Sequence, residues 1–314
     1  MITKEEFQQA IDQTQQKIVN SEPESRIFTL SVKKRFDSST LLDLYSISFP
    51  HVKREFWETK IKLGNLTLDG AKVSPNQEVR AGQITQHSEP PKNEPDVSFD
   101  INLIEATQDY WIINKPSPLP VHAGGRYQYH TLTHILKKAF PNQSIHLINR
   151  LDANTTGALI IALNKKTAQA IGKQFENRSV NKTYLALVEN APSSTYFNST
   201  ASIGKSKTPA GGRKLEEGQE STTNFQVLRK FDNTTLLKVT PHSGRTNQIR
   251  LHLAGLGFPI IGDLGYKNPE YLKTNPLTYP TDSLFLHSWK ISFSYKNEIK
   301  SYTASPNQKW FNFL

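Results

Sequence analysis

Apolar positions recur at helical spacing early in the chain and gather into strand-length runs later. Residues 1–30 read as an amphipathic, polar helix followed by a loose stretch. From Ser38, SSTLLDLYSI opens on Ser/Thr cap candidates and then places apolar residues at helical spacing. VKREFWETKIKLGN fits a second helix stopped at Gly64, and NLTLDG and VRAGQITQH read as short strands with Asp69-Gly70 as the turn between them. Further on, YWIINKP is a strand ended by Pro116, and TLTHILKKAF is a short helix begun by a Thr cap. HLINRL and GALIIALN are apolar runs separated by the polar turn DANTT. KKTAQAIGKQFENRSV is helical, with Ala168, Ile171 and Phe175 on one face, and TYLALVE, FQVLRKF, TTLLKVT and LFLHSWKISF are strands. The stretch IGKSKTPAGGRKLEEGQES, rich in glycine and charge, predicts a mobile loop at about residues 204–221. Strands outnumber helices without alternating with them, which predicts an α+β fold over a doubly wound sheet.

The Pro-rich, polar segment SEPPKNEPD, residues 88–96, has the composition of a linker. It divides the chain into an N-terminal helical extension (1–37), a small helix–helix–strand module (38–87) and a second domain (97–314). Charge follows the same division. Residues 1–95 carry 13 Lys/Arg and 13 Asp/Glu, whereas residues 96–314 carry 25 and 15, so the whole net charge of +10 lies in the second domain. Excess positive charge on one domain attracts a polyanion, although a merely soluble basic protein has the same composition. The absence of cysteine excludes disulfides, thiolate metal sites and a Cys nucleophile. No apolar run approaches the ~18 residues that span a bilayer. The opening MITKEEFQQAIDQTQQK resembles neither a signal nor a transit peptide, so a cytoplasmic protein is expected. No long apolar seam marks an obligate assembly, and a monomer is expected.

Nucleotide-binding and α/β-hydrolase signatures are missing: there is no GxxxxGK[ST], GxGxxG or GxSxG. His130 and His134 sit at i, i+4, but Thr131 stands where a zinc HExxH motif needs glutamate, and no metal or cofactor is expected. Three blocks carry chemistry. NRLDANTTG (149–157) sets an acid beside an arginine in a polar turn at a strand end; the plain alternative is an Asx-turn with a solvated Arg. RSVNKTYLA (178–186) places Lys182, Tyr184 and Ala186 on one strand face, where a tyrosine can stack a base and a lysine hold phosphate. A half-buried tyrosine with a polar tip fits equally. GRTNQIRLH (244–252) offers Thr246 as cap of a short helix with Gly244 and Arg245 at its mouth and Arg250 a turn inside; a capped surface helix is the alternative.

In this order and spacing the blocks, with Asn114-Lys115-Pro116 and Val121-His122 before them, resemble the RluA-type family of pseudouridine synthases over residues 104–293. FPHVKREFWETKIKLGNLTLDG and VRAGQITQ, within 38–87, more loosely resemble an S-four-type RNA-binding domain, with Lys53, Arg54, Lys60 and Lys62 on one predicted helix. The resemblance implies a mixed, mostly antiparallel sheet flanked by helices and loops. It implies an enzyme that isomerises uridine to pseudouridine in structured RNA without metal or organic cofactor, ribosomal RNA being favoured over transfer RNA. It also implies that Asp152 is the catalytic acid, acting as nucleophile or base, that Tyr184 lines the pocket against the base and that Arg250 pairs with Asp152. Arg150, Lys182, Arg245, Asn247, Lys53 and Arg54 are the expected RNA contacts. Asn149 and Asn247 stand where the family has His, and Thr156 where Ser is commoner. A synthase-like RNA-binding scaffold without activity is the alternative these departures leave. A glycoside hydrolase would need a second acid; Asp263 is the sole candidate, and a capping or loop role suits it better.

Overall fold

The structure, a computed structural model, describes residues 1–20, 25–91, 93–207, 213–267 and 284–314. It divides into a smaller unit, Ser21–Asn93, and a larger one made of Met1–Asn20 together with Glu94–Leu314. The chain opens with α1 (Lys4–Val19), started by a capping box in which Thr3 and Glu6 satisfy each other's backbone N–H. Its buried face is Phe7, Ile11 and Ile18. Phe7 stacks on Phe140 with centroids 5.1 Å apart and meets Trp111 edge-on at 5.5 Å. Residues 1–37 are therefore not one extension: the apolar stripe of α1 seats the first twenty residues in the larger unit, and the rest open the smaller one.

The smaller unit contains β1 (Arg26–Ser31), α2 (Leu41–Ser48), α3 (Arg54–Lys62), β2 (Leu66–Leu68), β3 (Ala71–Lys72) and β4 (Ile84–Glu89). Its antiparallel sheet runs β1-β4-β2-β3. Thr40 caps α2 by accepting the Asp43 N–H at 3.1 Å, and Leu41, Leu44, Tyr45, Trp57, Ile61 and Leu66 form the core. The stretch expected to be loose contains β1, and the expected linker begins inside β4. Asp69-Gly70 turns between β2 and β3, with Gly70 at φ +80°, rather than between β2 and β4.

The larger unit continues with β5 (Asn102–Ala106), β6 (Tyr110–Lys115), α4 (Leu132–Ala139), β7 (His146–Leu147), β8 (Thr156–Ala162) and α5 (Lys165–Glu176). Then come β9 (Asn181–Glu189), β10 (Tyr196–Ser199), β11 (Ile203–Lys207), β12 (Arg213–Leu215), β13 (Thr223–Lys230) and β14 (Thr234–Pro241). It closes with α6 (Gln248–Gly255), α7 (Leu264–Lys267), β15 (Leu286–Tyr295) and β16 (Glu298–Thr303). The main sheet has the order β10-β13-β14-β9-β15-β8-β6-β5, with β7 on β8 and β16 on β15. Among the described residues only β8 and β15 pair in parallel, so the fold is α+β on a mixed, mostly antiparallel sheet, as expected from the sequence. Every residue of β8 is buried because both sheet faces are covered. Leu159 and Ile161 pack with α1 and α4, and Ala158 and Ile160 with Ile171 of α5, which explains an unbroken apolar run instead of alternation.

Two local features set up the site. Gly157 has φ +114°, and a Cβ there would lie 2.3 Å from the Ser288 carbonyl oxygen, so β8 enters the sheet against β15 only with glycine. The segment expected to be a mobile loop forms the hairpin β11–β12, with residues 208–212 outside the described residues. Among the described residues no helix is long and apolar enough to cross a membrane.

Candidate active site

The turn between β7 and β8 carries Asp152, and the backbone holds it from both sides. The Asp152 carbonyl accepts the Thr155 N–H at 3.0 Å, and the Ala153 carbonyl accepts the Leu119 N–H at 2.9 Å. Lys115, the last residue of β6, is fully buried beneath this turn and donates to the carbonyls of Pro116 (2.8 Å), Leu119 (2.8 Å) and Ala153 (3.1 Å). Burial draws its pKa down to about 7, against the opposing pull of the Asp152 charge. The signal for Lys115 was present in the sequence as a lysine closing a largely apolar strand ahead of a proline, but one of its three acceptors, the Ala153 carbonyl, lies 38 residues away.

The GRTNQIR segment is built around Gln248. Its amide oxygen accepts from the Ser243 hydroxyl at 2.6 Å and the Arg245 N–H at 3.1 Å, while its nitrogen donates to Thr222 and Thr223 at 3.0 Å. The cap of α6 is Asn247, in the left-handed conformation at φ 58°, not Thr246 as the sequence suggests. One turn in, Arg250 meets two carboxylates. Its Nε and Nη2 donate to Asp263 at 2.7 and 2.8 Å as a fork, and its Nη1 reaches Asp152 at 3.3 Å. Burial opposes the Arg250 charge, but the hydrogen bonds and charge of Asp263, with that of Asp152, outweigh it and raise its pKa. The side chain of Asp152 is 23% exposed and that of Asp263 1%, so a molecule entering from solvent can meet only the first. Asp263 is thus not a second exposed acid; it has the capping role expected of it, accepting the Tyr266 N–H at 3.3 Å at the start of α7, and is also the buried counter-ion of Arg250.

Asp152 and Arg250 face a cavity of about 380 Å³, within the range of small-ligand pockets. Tyr184, on β9, forms one wall. Burial raises its pKa to about 12, a hydrogen bond from Ser288 works the other way, and the Asp152 charge adds to the rise, so the phenol is neutral. Arg150, Lys182, Arg245 and Asn247 also line the cavity, which brings together all seven site residues expected in this unit. Arg178, at φ 58° after α5, joins them and was not singled out from the sequence. Lys182 donates to the Ser243 carbonyl at 3.1 Å, and burial and the neighbouring Arg178 lower its pKa. The Nε of Arg245 is a buried donor with no acceptor among the described residues. Asn149 uses its side-chain oxygen to accept the Ile160 N–H at 3.2 Å.

Lys53 and Arg54 belong to the other unit, at the start of α3. The expected cationic face on that helix is largely paired: Arg54 with Asp43 at 2.7 Å, Lys60 with Glu89 at 3.1 Å and Lys62 with Glu58 at 2.6 Å. Of the two histidines weighed as a metal pair, His130 bonds the Pro95 carbonyl at 2.8 Å through Nδ1, and His134 packs against the Tyr129 ring.

A family profile described as RNA pseudouridylate synthase matches residues 109–255, which carry every cavity residue named above. The chain is 31% identical over 258 residues to an uncharacterized RNA pseudouridine synthase of Synechocystis, spanning 81% of this chain and 88% of that one. The chain belongs to the RNA pseudouridine synthases. Within them it is of the RluA type. It is 28% identical to ribosomal large subunit pseudouridine synthase C of Buchnera aphidicola, over 77% of this chain and 81% of that one. The fold is similar to the solved structure of human RNA pseudouridylate synthase domain containing 1, with TM-score 0.55 and 26% identity over 68% of this chain and 86% of that one. This synthase is accordingly an isomerase acting on RNA.

Proposed function

We propose that this synthase converts a uridine of ribosomal RNA to pseudouridine with Asp152 as the catalytic acid, Arg250 as its partner and Tyr184 against the base. The observation that carries the reading is the pair of carboxylates on Arg250. One is buried and holds the guanidinium, and the other is open to a nucleobase-sized cavity. In the reaction the N1–C1′ bond breaks, the uracil turns, C5 bonds to C1′, the C5 proton leaves and N1 gains one. A paired uridine hides this edge, so the nucleotide is flipped into the cavity. Arg150, Arg178, Lys182 and Arg245 stand where its phosphates enter. An RNA acceptor for the orphaned Nε of Arg245 would recover the roughly 1–3 kcal/mol that an unmade buried bond costs.

The choice of ribosomal RNA is supported by the large-subunit relative from Buchnera. The smaller unit is read as an S-four-type RNA-binding module contacting RNA through Lys53 and Arg54. The Arg54–Asp43 pair is exposed and weak, so a phosphate can compete for the arginine.

The test is tritium release from unmodified transcripts, ribosomal fragments and transfer RNAs, carrying tritium at uridine C5. Wild type should release tritium from a ribosomal fragment and Asp152→Ala should release none while binding the same RNA. Release by Asp152→Ala at the wild-type rate would remove Asp152 from the mechanism, and release from transfer RNA alone would overturn the choice of substrate.

A further inference from the structure

Asn247 is expected from sequence to contact RNA, yet its amide is already engaged on both sides. Its Oδ1 accepts from Arg250 Nη1 at 3.3 Å, and its Nδ2 donates to the Tyr266 hydroxyl at 2.7 Å. Tyr266, on α7, is tied to the same arginine twice more. Its ring lies 4.9 Å from the Arg250 guanidinium carbon, and its N–H donates at 3.3 Å to the Asp263 oxygen that Nη2 also uses. Four of the five guanidinium N–H groups are thereby directed: two to Asp263, one to Asp152 and one to Asn247.

The Tyr266 hydroxyl accepts a second donor, the backbone N–H of Arg213 in β12, at 3.1 Å. The hairpin that supplies this group is fixed to α6 at two further points. At its base, buried His252 bonds the Ala201 carbonyl at 2.9 Å and the Ser221 hydroxyl at 3.0 Å through Nε2, and Thr223 at 2.9 Å through Nδ1. Further along, Leu215 packs so closely on Gly255 that a Cβ there would lie 2.5 Å from its Cδ1.

We propose that Asn247 and Tyr266 are positioning residues for Arg250, and that the β11–β12 hairpin, seated on the Tyr266 hydroxyl, completes the arrangement that holds Arg250 against Asp152. The proposal rests on the reading of Asp152 and Arg250 as the catalytic pair. Nη1 is the flexible arm of the guanidinium: Asp263 fixes the other two nitrogens by short bonds, whereas Nη1 meets Asp152 and Asn247 at 3.3 Å each. An amide oxygen anchored by Tyr266 orients that arm. The asparagine that stands for the family's histidine thus serves the arginine and not the RNA.

The decisive variant is Tyr266→Phe, which keeps the ring beside Arg250 and removes only the hydroxyl. Under single-turnover conditions, with the 5-tritiated transcript on which wild type is active, its rate should fall about tenfold, the loss of one or two hydrogen bonds. Affinity for that transcript should stay within about twofold. Asn247→Ala should behave alike, and the double variant should be no slower than the worse single, because both cut one relay. A Tyr266→Phe enzyme with wild-type single-turnover rate, or one with weakened binding and an unchanged rate, would overturn the proposal. So would multiplicative losses in the double variant. Asp152→Ala run alongside separates the two readings. If it is inactive while Tyr266→Phe is as fast as wild type, only the relay fails; if it is active, the catalytic pair itself is wrong.

Discussion

Two carboxylates share Arg250, and their unequal burial predicts that losing one costs activity while losing the other costs stability. Asp263 is 2% exposed and accepts two short, charge-assisted bonds at 2.7 and 2.8 Å. Asp263→Ala leaves a buried guanidinium with the 3.3 Å contacts of Nη1 to Asp152 and Asn247 and the Tyr266 ring beside it. Breaking one side of a buried ion pair costs about 3–5 kcal/mol, and the surviving contacts place this case near 3. In a unit of this size that lowers Tm by roughly 6–12 °C. Asp152 contributes one 3.3 Å contact from a partly open position, so Asp152→Ala should change stability by less than about 1 kcal/mol while removing turnover. Denaturant unfolding of both variants, followed by circular dichroism and paired with tritium release, gives the comparison. A destabilisation by Asp152→Ala as large as that by Asp263→Ala would refute the division of roles.

Further outcomes follow from other parts of the larger unit. His287 is buried, its Nδ1 2.7 Å from the Thr156 hydroxyl and its Nε2 3.0 Å from the Ala304 carbonyl, and burial lowers its pKa to about 4. The unfolded imidazole binds a proton below about pH 6.5 and the folded one resists until about 4, so stability falls as pH drops through that window. Between pH 7.5 and 4.5 the His287 share of the loss should be about 2–3 kcal/mol and should vanish in His287→Gln, as denaturation at the two pH values will show. Phe7→Ala, which empties the site between Phe140 and Trp111, should destabilise the larger unit by about 3–5 kcal/mol in the same unfolding assay; a change below 1 would mean that α1 is not part of it. Arg150→Ala should weaken RNA binding and reduce the slope of log affinity against log salt by about one, measured by filter binding across a salt series.

Much of this was legible because its signals are local. The Thr caps of α2 and α4, the apolar stripe of α5 and the unbroken run of β8 lie within windows of a few residues, and each became the element it predicts. The strands missed from sequence are short or lie at the edge, where apolar patterning is thin: β1, β3, β5, β10, β16 and the β11–β12 hairpin, whose glycines and charges read as a loop. The site was legible as blocks of residues around Asp152, Tyr184 and Arg250, and the cavity gathers all three.

Chain order and local chemistry thus determined most of the helices and strands, the α+β class, the basic larger domain and most of the residues that meet at the site. Tertiary structure alone decided how they meet. β15 (Leu286–Tyr295) enters between β8 and β9 and pairs in parallel with β8. The same folding carries α1 back onto α4, sets Lys115 under the Asp152 turn, and chooses between two aspartates by burying one and opening the other. Periodicity and capping act over a few residues and leave their mark in the text of the chain. Burial and ion pairing join side chains 98 residues apart, as Arg250 and Asp152 are, and exist only once the sheet has closed between them.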